Sequence, residues 1–409
     1  MNQTLRREAN RIIEEAIHSV KPEEAVKRAL DGKHFQGRVY VVSVGKAGYS
    51  MAKAASSMLD FEKGIVITKY HHVLDSIENT DCYEAGHPTP DENGVAATQK
   101  VLDMVSDLKE EDTVLFLLSG GGSALFECPV ISLDELQDIT NQLLRSGADI
   151  KEINSIRKRL SLVKGGKFAK LISPAKVYAV ILSDVLGDPV DMIASGPTAA
   201  DTSTTEQVQA IVDKYGIVLS ETAKKALEKE TPKEVKNAEN VVIGSVKQLR
   251  KAAKNACEAI GYSTRVLADD YEGEARLLGE RLGNLAVENS HNGKQAFIVG
   301  GESVVHLTGD GLGGRNQEIA VAAMEKIAGL HNVAVFSVGS DGTDGPTDAA
   351  GGYVDGDSVS TLEEKKIHWK SMQNNNDCYH ILEAMDGLVI TGPTGTNVND
   401  VSVVLVDEN

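Results

Sequence analysis

Short, continuous apolar runs recur between helix-length amphipathic stretches along most of this chain, and that rhythm leaves few folds open to it. Val39–Val44 (VYVVSV), Gly64–Lys69 (GIVITK), Thr113–Ser119 (TVLFLLS) and Lys176–Ser183 (KVYAVILS) have strand length and lack a regular polar alternation. A strand with one wet face alternates, whereas a run that is apolar throughout suits a strand covered on both faces. The intervening segments have helical spacing instead. In LDELQDITNQLLRSG, Leu133, Leu136, Ile139, Leu143 and Leu144 share one stripe. Strand, helix, strand, helix predicts an α/β fold with a mostly parallel sheet and helices on both faces.

At 409 residues the chain is too long for one ordinary core. Apolar content falls, and charge and proline rise, across Leu227–Asn240 (LEKETPKEVKNAEN). The expected division is a Rossmann-like first domain over 1–236 and a smaller α/β domain over 237–409. NVVIGS, STRVLA, KQAFIVGG, NVAVFSVGSD and DGLVITG form the second strand series. The closing run NDVSVVLVD has no assigned sheet and is allowed to pack back on the first domain.

Forty-two Lys+Arg against sixty Asp+Glu give a formal charge of −18. That balance repels nucleic acid and anionic membranes, so neither is expected as a partner, and a small anionic substrate needs a local cationic site. Cys82, Cys128, Cys257 and Cys378 lie far apart and form no C-x-x-C pair, which suits a reducing cytosol. No apolar run approaches the ~20 residues of a membrane span. A soluble cytoplasmic protein is expected, and a homodimer is allowed.

In open parallel sheets, ligands gather outside the carboxyl ends of strands, where helix N-termini present free N–H groups. The unusual residues of this chain fall there. GKAGYSM places Lys46 on a Gly-flanked turn, and SGGGSALF follows with Ser119, Gly120, Gly121, Gly122 and Ser123. Glycines for close approach, two hydroxyls and a following helix suit phosphate or carboxylate binding, with a plain tight turn as the alternative. No G-x-x-x-x-G-K-[ST] occurs, so an ordinary P-loop is excluded. In SDVLGDPVDMIASGPT, Asp184 and Asp188 can hold Mg²⁺, orient a hydroxyl or accept its proton, although Asp188 equally suits a helix cap. GSDGTDGPTDAAGG brings Asp341, Asp344 and Asp348 close enough to need a neutralising cation, unless chained Asx turns explain them. Glu302 ends another apolar run. His71 and His72 point to opposite strand faces, His87 lies in a Pro-containing loop, and Lys158 with Arg159 reads as a basic patch or a solvated face.

Gly309, Gly311 and Gly314 in LTGDGLGGRNQE match G-x-G-x-x-G. A dinucleotide site also wants an acidic residue roughly 20 positions later, and Asp341 lies beyond that distance. Arg315 follows the last glycine directly. Its guanidinium fork favours a bidentate grip on phosphate or carboxylate, which a dinucleotide cradle does not require. Phosphoryl chemistry is the favoured reading. An NAD(P)H-dependent hydroxypyruvate reductase and a non-catalytic binder of small acidic metabolites are the alternatives.

In order, VGKAGYSMA, GHPTPDENG, LLSGGGSALF, IRKRLSLVKGGK, ILSDVLGDPVDMIASGPT, GGESVVHLTGDGLGGRNQE, SVGSDGTDGPTDAAG and TGPTGTNVNDV span nearly the whole chain. Together they resemble the type-2 glycerate kinases, whose C-terminal portion is called the MOFRL domain. The resemblance implies ATP-dependent phosphorylation of D-glycerate to 2-phosphoglycerate, with Mg²⁺ and a substrate cleft between two α/β domains. Relatives of this family have often been labelled hydroxypyruvate reductases. By position, Lys46 and Arg315 match the family's paired cations. The serines and glycines of Ser119–Ser123, with Asp184 and Asp188, match the nucleotide and metal side. Glu302 and Asn397 match substrate-side positions, and Asp341 and Asp344 complete the expected metal set. Asp184 is the expected residue at the 2-hydroxyl.

Overall fold

The computed structural model describes residues 1–408. Twelve strands are present among them: β1 (Val39–Val44), β2 (Lys63–Lys69), β3 (Thr80–Ala85), β4 (Thr113–Leu118), β5 (Lys176–Leu182), β6 (Ala238–Gly244), β7 (Ser263–Tyr271), β8 (Gln295–Gly301), β9 (Val333–Gly339), β10 (Gly351–Asp355), β11 (Leu388–Val389) and β12 (Asp400–Val406). The chain divides into two compact units, one over Pro22–Ile243 and one joining residues 1–21 to the segment from Gly244 onward.

The first unit carries a six-stranded sheet in the order β3-β2-β1-β4-β5-β6, in which the first five are mutually parallel. The expectation of a parallel sheet clothed on both faces holds. Val42, Val44, Phe116, Leu118, Ala179 and Ile181 pack on one face against helices Glu92–Met104 and Lys167–Ile172. Val41, Leu115, Leu117 and Val180 pack on the other against Pro22–Leu30 and Gly48–Ser56. Successive side chains of one strand thus enter two different cores, which is why these runs are apolar without alternation. The sheet reverses its winding between β1 and β4. A crevice therefore opens outside their carboxyl ends, the place where doubly wound sheets bind ligands.

The second unit holds a mixed sheet, β11-β10-β9-β12-β8-β7. β7 and β8 are parallel, and β12 runs antiparallel between β8 and β9. Its two faces are covered by separate cores, one including Leu5, Ile12, Leu249 and Phe336, the other Leu278, Ile319, Val335 and Val404.

Three boundaries differ from the sequence reading. Asn240–Ser245, expected to open the second strand series, overlaps β6 and edges the first sheet, so the division falls after Ile243 rather than after 236. Helix Gln3–Ser19 belongs with the second unit, because Leu5, Ala9, Ile12, Ile13 and Ala16 find their apolar partners in Leu249, Ala253 and Phe336. The closing strand β12 occupies the middle of the second sheet and does not return to the first, since its fully buried face residues need cover on both sides.

Candidate functional site

In the first unit, two strand-to-helix turns are stitched together at the switch point. The Lys46 N–H donates to the Gly120 carbonyl at 2.9 Å, and the Ala47 N–H donates to Ser119 Oγ at 3.0 Å. Gly45 has φ +120° with the Ser119 side chain pressed against it, so a Cβ there would collide with that hydroxyl. Ser119 is buried and engaged in this seam. It is therefore a builder of the turn, although a nucleotide contact was expected of it.

Gly120 and Gly121 are the open part of the turn. A Cβ on Gly120 would strike the Asp184 carboxylate, which fixes Asp184 at the mouth of the loop. A Cβ on Gly121, at φ +87°, would lie 2.9 Å from the His87 ring and 3.3 Å from Lys46 Cγ. The turn thus gathers Lys46, His87 and Asp184 around two bare backbone positions. Gly122 differs, being buried against Ala194 and Leu118, so its lack of a side chain is a packing requirement rather than a ligand contact. No carboxylate pairs with the Lys46 ammonium among the described residues. Burial, with the nearby charges of Lys46 and Lys69, pushes the His87 pKa down and favours the neutral ring.

The glycine-walled turn and Asp184 suit a nucleotide phosphate with Mg²⁺ beside it, because magnesium usually takes one or two carboxylates and completes its shell with phosphate oxygens and water. No cluster of three or more His, Cys, Asp or Glu occurs among the described residues. Asp188, at φ +56°, lies in the same post-β5 loop as Asp184.

In the second unit, Arg315 begins helix Arg315–Met324 and borders a cavity of about 780 Å³, which Gly309, Gly311, Asp341, Thr343 and Glu302 also line. Asp400 holds Arg315 by two hydrogen bonds, Nε to Oδ2 at 2.6 Å and an Nη to Oδ1 at 3.0 Å, and Glu302 faces the remaining nitrogen at 3.1 Å. The register explains the placement, since Asp400 begins β12 opposite both Gly301 and Gly339, the ends of β8 and β9. Burial pushes the Asp400 carboxyl up to about 6, and the Arg315 charge only partly offsets this. Burial works against the Arg315 charge as well, but there the Asp400 hydrogen bonds and the neighbouring carboxylates prevail and raise its pKa. Asn397 lies in the loop that leads into Asp400, where its side chain accepts weakly from the Asn399 N–H at 3.5 Å.

Asp344 has a different task from the one expected. Its two oxygens accept from the N–H groups of Asn316 at 3.1 Å and Gln317 at 2.9 Å, so it caps the helix that follows Arg315. Burial holds its pKa above the ordinary carboxylate range. Both of its oxygens are thus engaged at the helix start, and Asp341 keeps one oxygen engaged by the Thr343 N–H at 3.0 Å. The capping also decides the glycine motif. A dinucleotide pyrophosphate would need the N–H groups that Asp344 already occupies, and a Cβ on Gly314 would meet Asp344 itself. The remaining glycines let the loop pass close to Asn375 and Asp377.

The described domain of unknown function DUF4147 matches residues 8–228, and the MOFRL family matches residues 295–400. A D-glycerate 2-kinase from Thermotoga maritima is 46% identical, with 99% of each chain covered, and a glycerate 2-kinase from Pyrococcus horikoshii is 39% identical over 97% of this chain and 96% of its own. A crystal structure of glycerate kinase from Thermotoga maritima superposes with a TM-score of 0.96 at 46% identity, covering 99% of this chain and 100% of that one. The chain belongs to the glycerate 2-kinase family with a C-terminal MOFRL domain.

Within this glycerate 2-kinase fold, Asp400 carries no local sign in the sequence, because its position depends on strand register. Lys158 and Arg159, open in the sequence to either a basic patch or a solvated face, are neither. Both are buried, paired with Asp201 at 3.2 and 3.6 Å. Their place in IRKRLS, three adjacent cations on one helix beside a buried stripe, was the available sign.

Proposed function

We propose that this chain is an ATP-dependent kinase that phosphorylates D-glycerate on its 2-hydroxyl to give 2-phosphoglycerate. The observation that carries the reading is the switch-point turn, where Lys46 and Asp184 meet two glycines that only bare backbone can occupy. ATP phosphates lie along Gly120–Ser123. Lys46 neutralises charge on the moving phosphoryl group, and phosphoryl transfer depends chiefly on such positioning and neutralisation. Arg315 takes the glycerate carboxylate. Asp400 and Glu302 occupy three of its five donors, leaving two for a substrate oxygen pair. Asp184 orients the 2-hydroxyl and takes its proton as the new O–P bond forms and the bond to the ADP leaving oxygen breaks. Asp184 and Asp188, with water, would hold magnesium, which would supply charge neutralisation for the transfer. Glu302 and Asn397 set the substrate side, Glu302 by steadying Arg315.

No helix among the described residues is long and apolar enough to cross a membrane. All four cysteines are free thiols, which supports a reducing cytoplasmic setting.

Phosphorus NMR of the protein with D-glycerate, ATP and Mg²⁺ tests the reading, alongside a sample of hydroxypyruvate with NADH or NADPH followed by nicotinamide absorbance. A 2-phosphoglycerate resonance with the nicotinamide intact is expected. Nicotinamide oxidation with intact ATP would overturn it in favour of a reductase, and D-glycerate binding without either reaction would leave only a metabolite binder.

A further inference from the structure

Beneath the open turn lies a cluster of charges that the mechanism above does not use, with Glu127 and Lys164 fully buried and Arg157 mostly so. Glu127 is 0% exposed, two residues past the short helix Gly122–Leu125 that continues the turn. Two cations share its single carboxylate, Lys164 at 3.3 Å and Arg157 at 4.0 Å. Each also holds a carbonyl of the turn segment: Lys164 Nζ donates to Phe126 O at 2.7 Å, and Arg157 donates to Ser123 O at 2.9 Å. The Arg157 Nε is buried and has no hydrogen-bond partner.

One carboxylate against two cations leaves a surplus positive charge under the glycines, in a chain whose formal charge is −18. Burying an uncompensated charge is costly, and a chain rich in carboxylates could neutralise it by one substitution. Burial accordingly lowers the pKa of Arg157, and that of Lys164 to about 8.

The same helix, Ile150–Leu160, anchors the neighbouring loops. Asn154 accepts from the Ser195 hydroxyl at 3.0 Å, and Ser195 in turn meets the Ser123 hydroxyl at 3.0 Å. Lys158 reaches Asp191, in the loop after β5, at 3.4 Å. Asn154, Arg157 and Lys158 stand three and four positions apart, on one helix face. That face therefore holds both loops that carry the phosphate-side residues.

We propose that Arg157 is a positioning residue for the nucleotide: it fixes the Ser123 carbonyl, and its charge, left over from Glu127, is compensated by the ATP phosphates at the turn. The proposal rests on the placement of ATP at Gly120–Ser123. ADP with Mg²⁺ is the probe, titrated calorimetrically into the full chain and its variants. Arg157→Gln, whose amide still reaches a carbonyl but carries no charge, is expected to weaken ADP at least tenfold and raise the KM for ATP similarly. Arg157→Lys, which keeps the charge, should stay within threefold of the parent. The KM for D-glycerate and the melting temperature should barely move in either, which a purely structural role would not allow. Unchanged ADP affinity in Arg157→Gln, or equal losses in both variants, would overturn the proposal. If Arg157→Gln does not fold, Arg157→Lys decides alone, with a tenfold loss overturning the proposal and near-parent affinity supporting it. Gly120→Ala separates the two readings, because its Cβ strikes Asp184 at the turn. If it leaves ADP affinity intact, ATP does not lie there and the underlying placement fails; if it weakens ADP while Arg157→Gln does not, only the role of Arg157 fails.

Discussion

Two glycine-rich loops of this chain each run into a helix, and they look alike in one dimension. At Ser119–Ser123, Gly120 and Gly121 leave partly accessible backbone beside Lys46 and Asp184. At Gly309–Gly314 they let the chain crowd against Asn375, Asp377 and Asp344, and the Asp344 carboxylate occupies the N–H groups that an anion would use. The second loop still lines the cavity that Arg315 borders, but its helix N–H groups are already taken by the protein's own carboxylate. A glycine pattern records that something approaches the backbone closely, and only the structure says whether that neighbour is a ligand or the protein itself.

The largest expected effect bears on the open loop. Lys46→Ala should lower kcat by about a hundredfold or more, the loss that follows removal of one well-placed charge-stabilising group, with little change in melting temperature. Steady-state assay with D-glycerate and ATP checks this, and near-normal turnover would break the distinction between the loops. An intermediate effect bears on the second loop. Asp344→Ala orphans the Asn316 and Gln317 N–H groups and should cost about 1–2 kcal/mol of stability, as lost caps do. Denaturant unfolding measures the loss. ADP affinity should hold, and its collapse would mean that the second loop also carries nucleotide.

The smallest effect is a pH dependence. Asp400 titrates near 6 in the folded chain, above the roughly 3.9 of an unfolded aspartate, so the native state binds the extra proton between those values. Its ionised form burdens stability above about pH 6, and that burden is relieved as pH falls toward 4. Activity should move the other way, because a protonated Asp400 loosens Arg315. Turnover and melting temperature across pH 4.5–7.5 (a range of about three units around that value) should therefore diverge, and Asp400→Asn should flatten the divergence.

How much was legible follows from where each constraint acts. Strands β1, β2, β4 and β5 were readable because burial on both faces leaves its mark in consecutive residues. β3 (TDCYEA) was not, since it edges the sheet and is only partly covered. Lys46, Gly120 and Asp184 were readable as strand-end residues without a packing purpose. Asp400 and the capping role of Asp344 were not, because the first depends on the register of β12 between β8 and β9 and the second joins residues distant in sequence. The burial of Lys158 and Arg159, and the partial burial of Arg157, was harder to read: cations on a helix normally face water, and the run of three does not say which carboxylate, Asp201 or Glu127, meets them.

The central position of β12 has a consequence for the order of assembly. The strand lies between β8 and β9, both made before it, while helix Gln3–Ser19, made long before either, closes one face of the same sheet. The first sheet has all its strands once Gly244 has been synthesised. The second must wait with two unpaired edges facing each other until residue 406 is made, and such edges invite pairing with other chains. The strand that delivers Asp400 to Arg315 is thus also the one that ends this exposure, so the second unit passes from aggregation-prone to complete in the same step that assembles its arginine site.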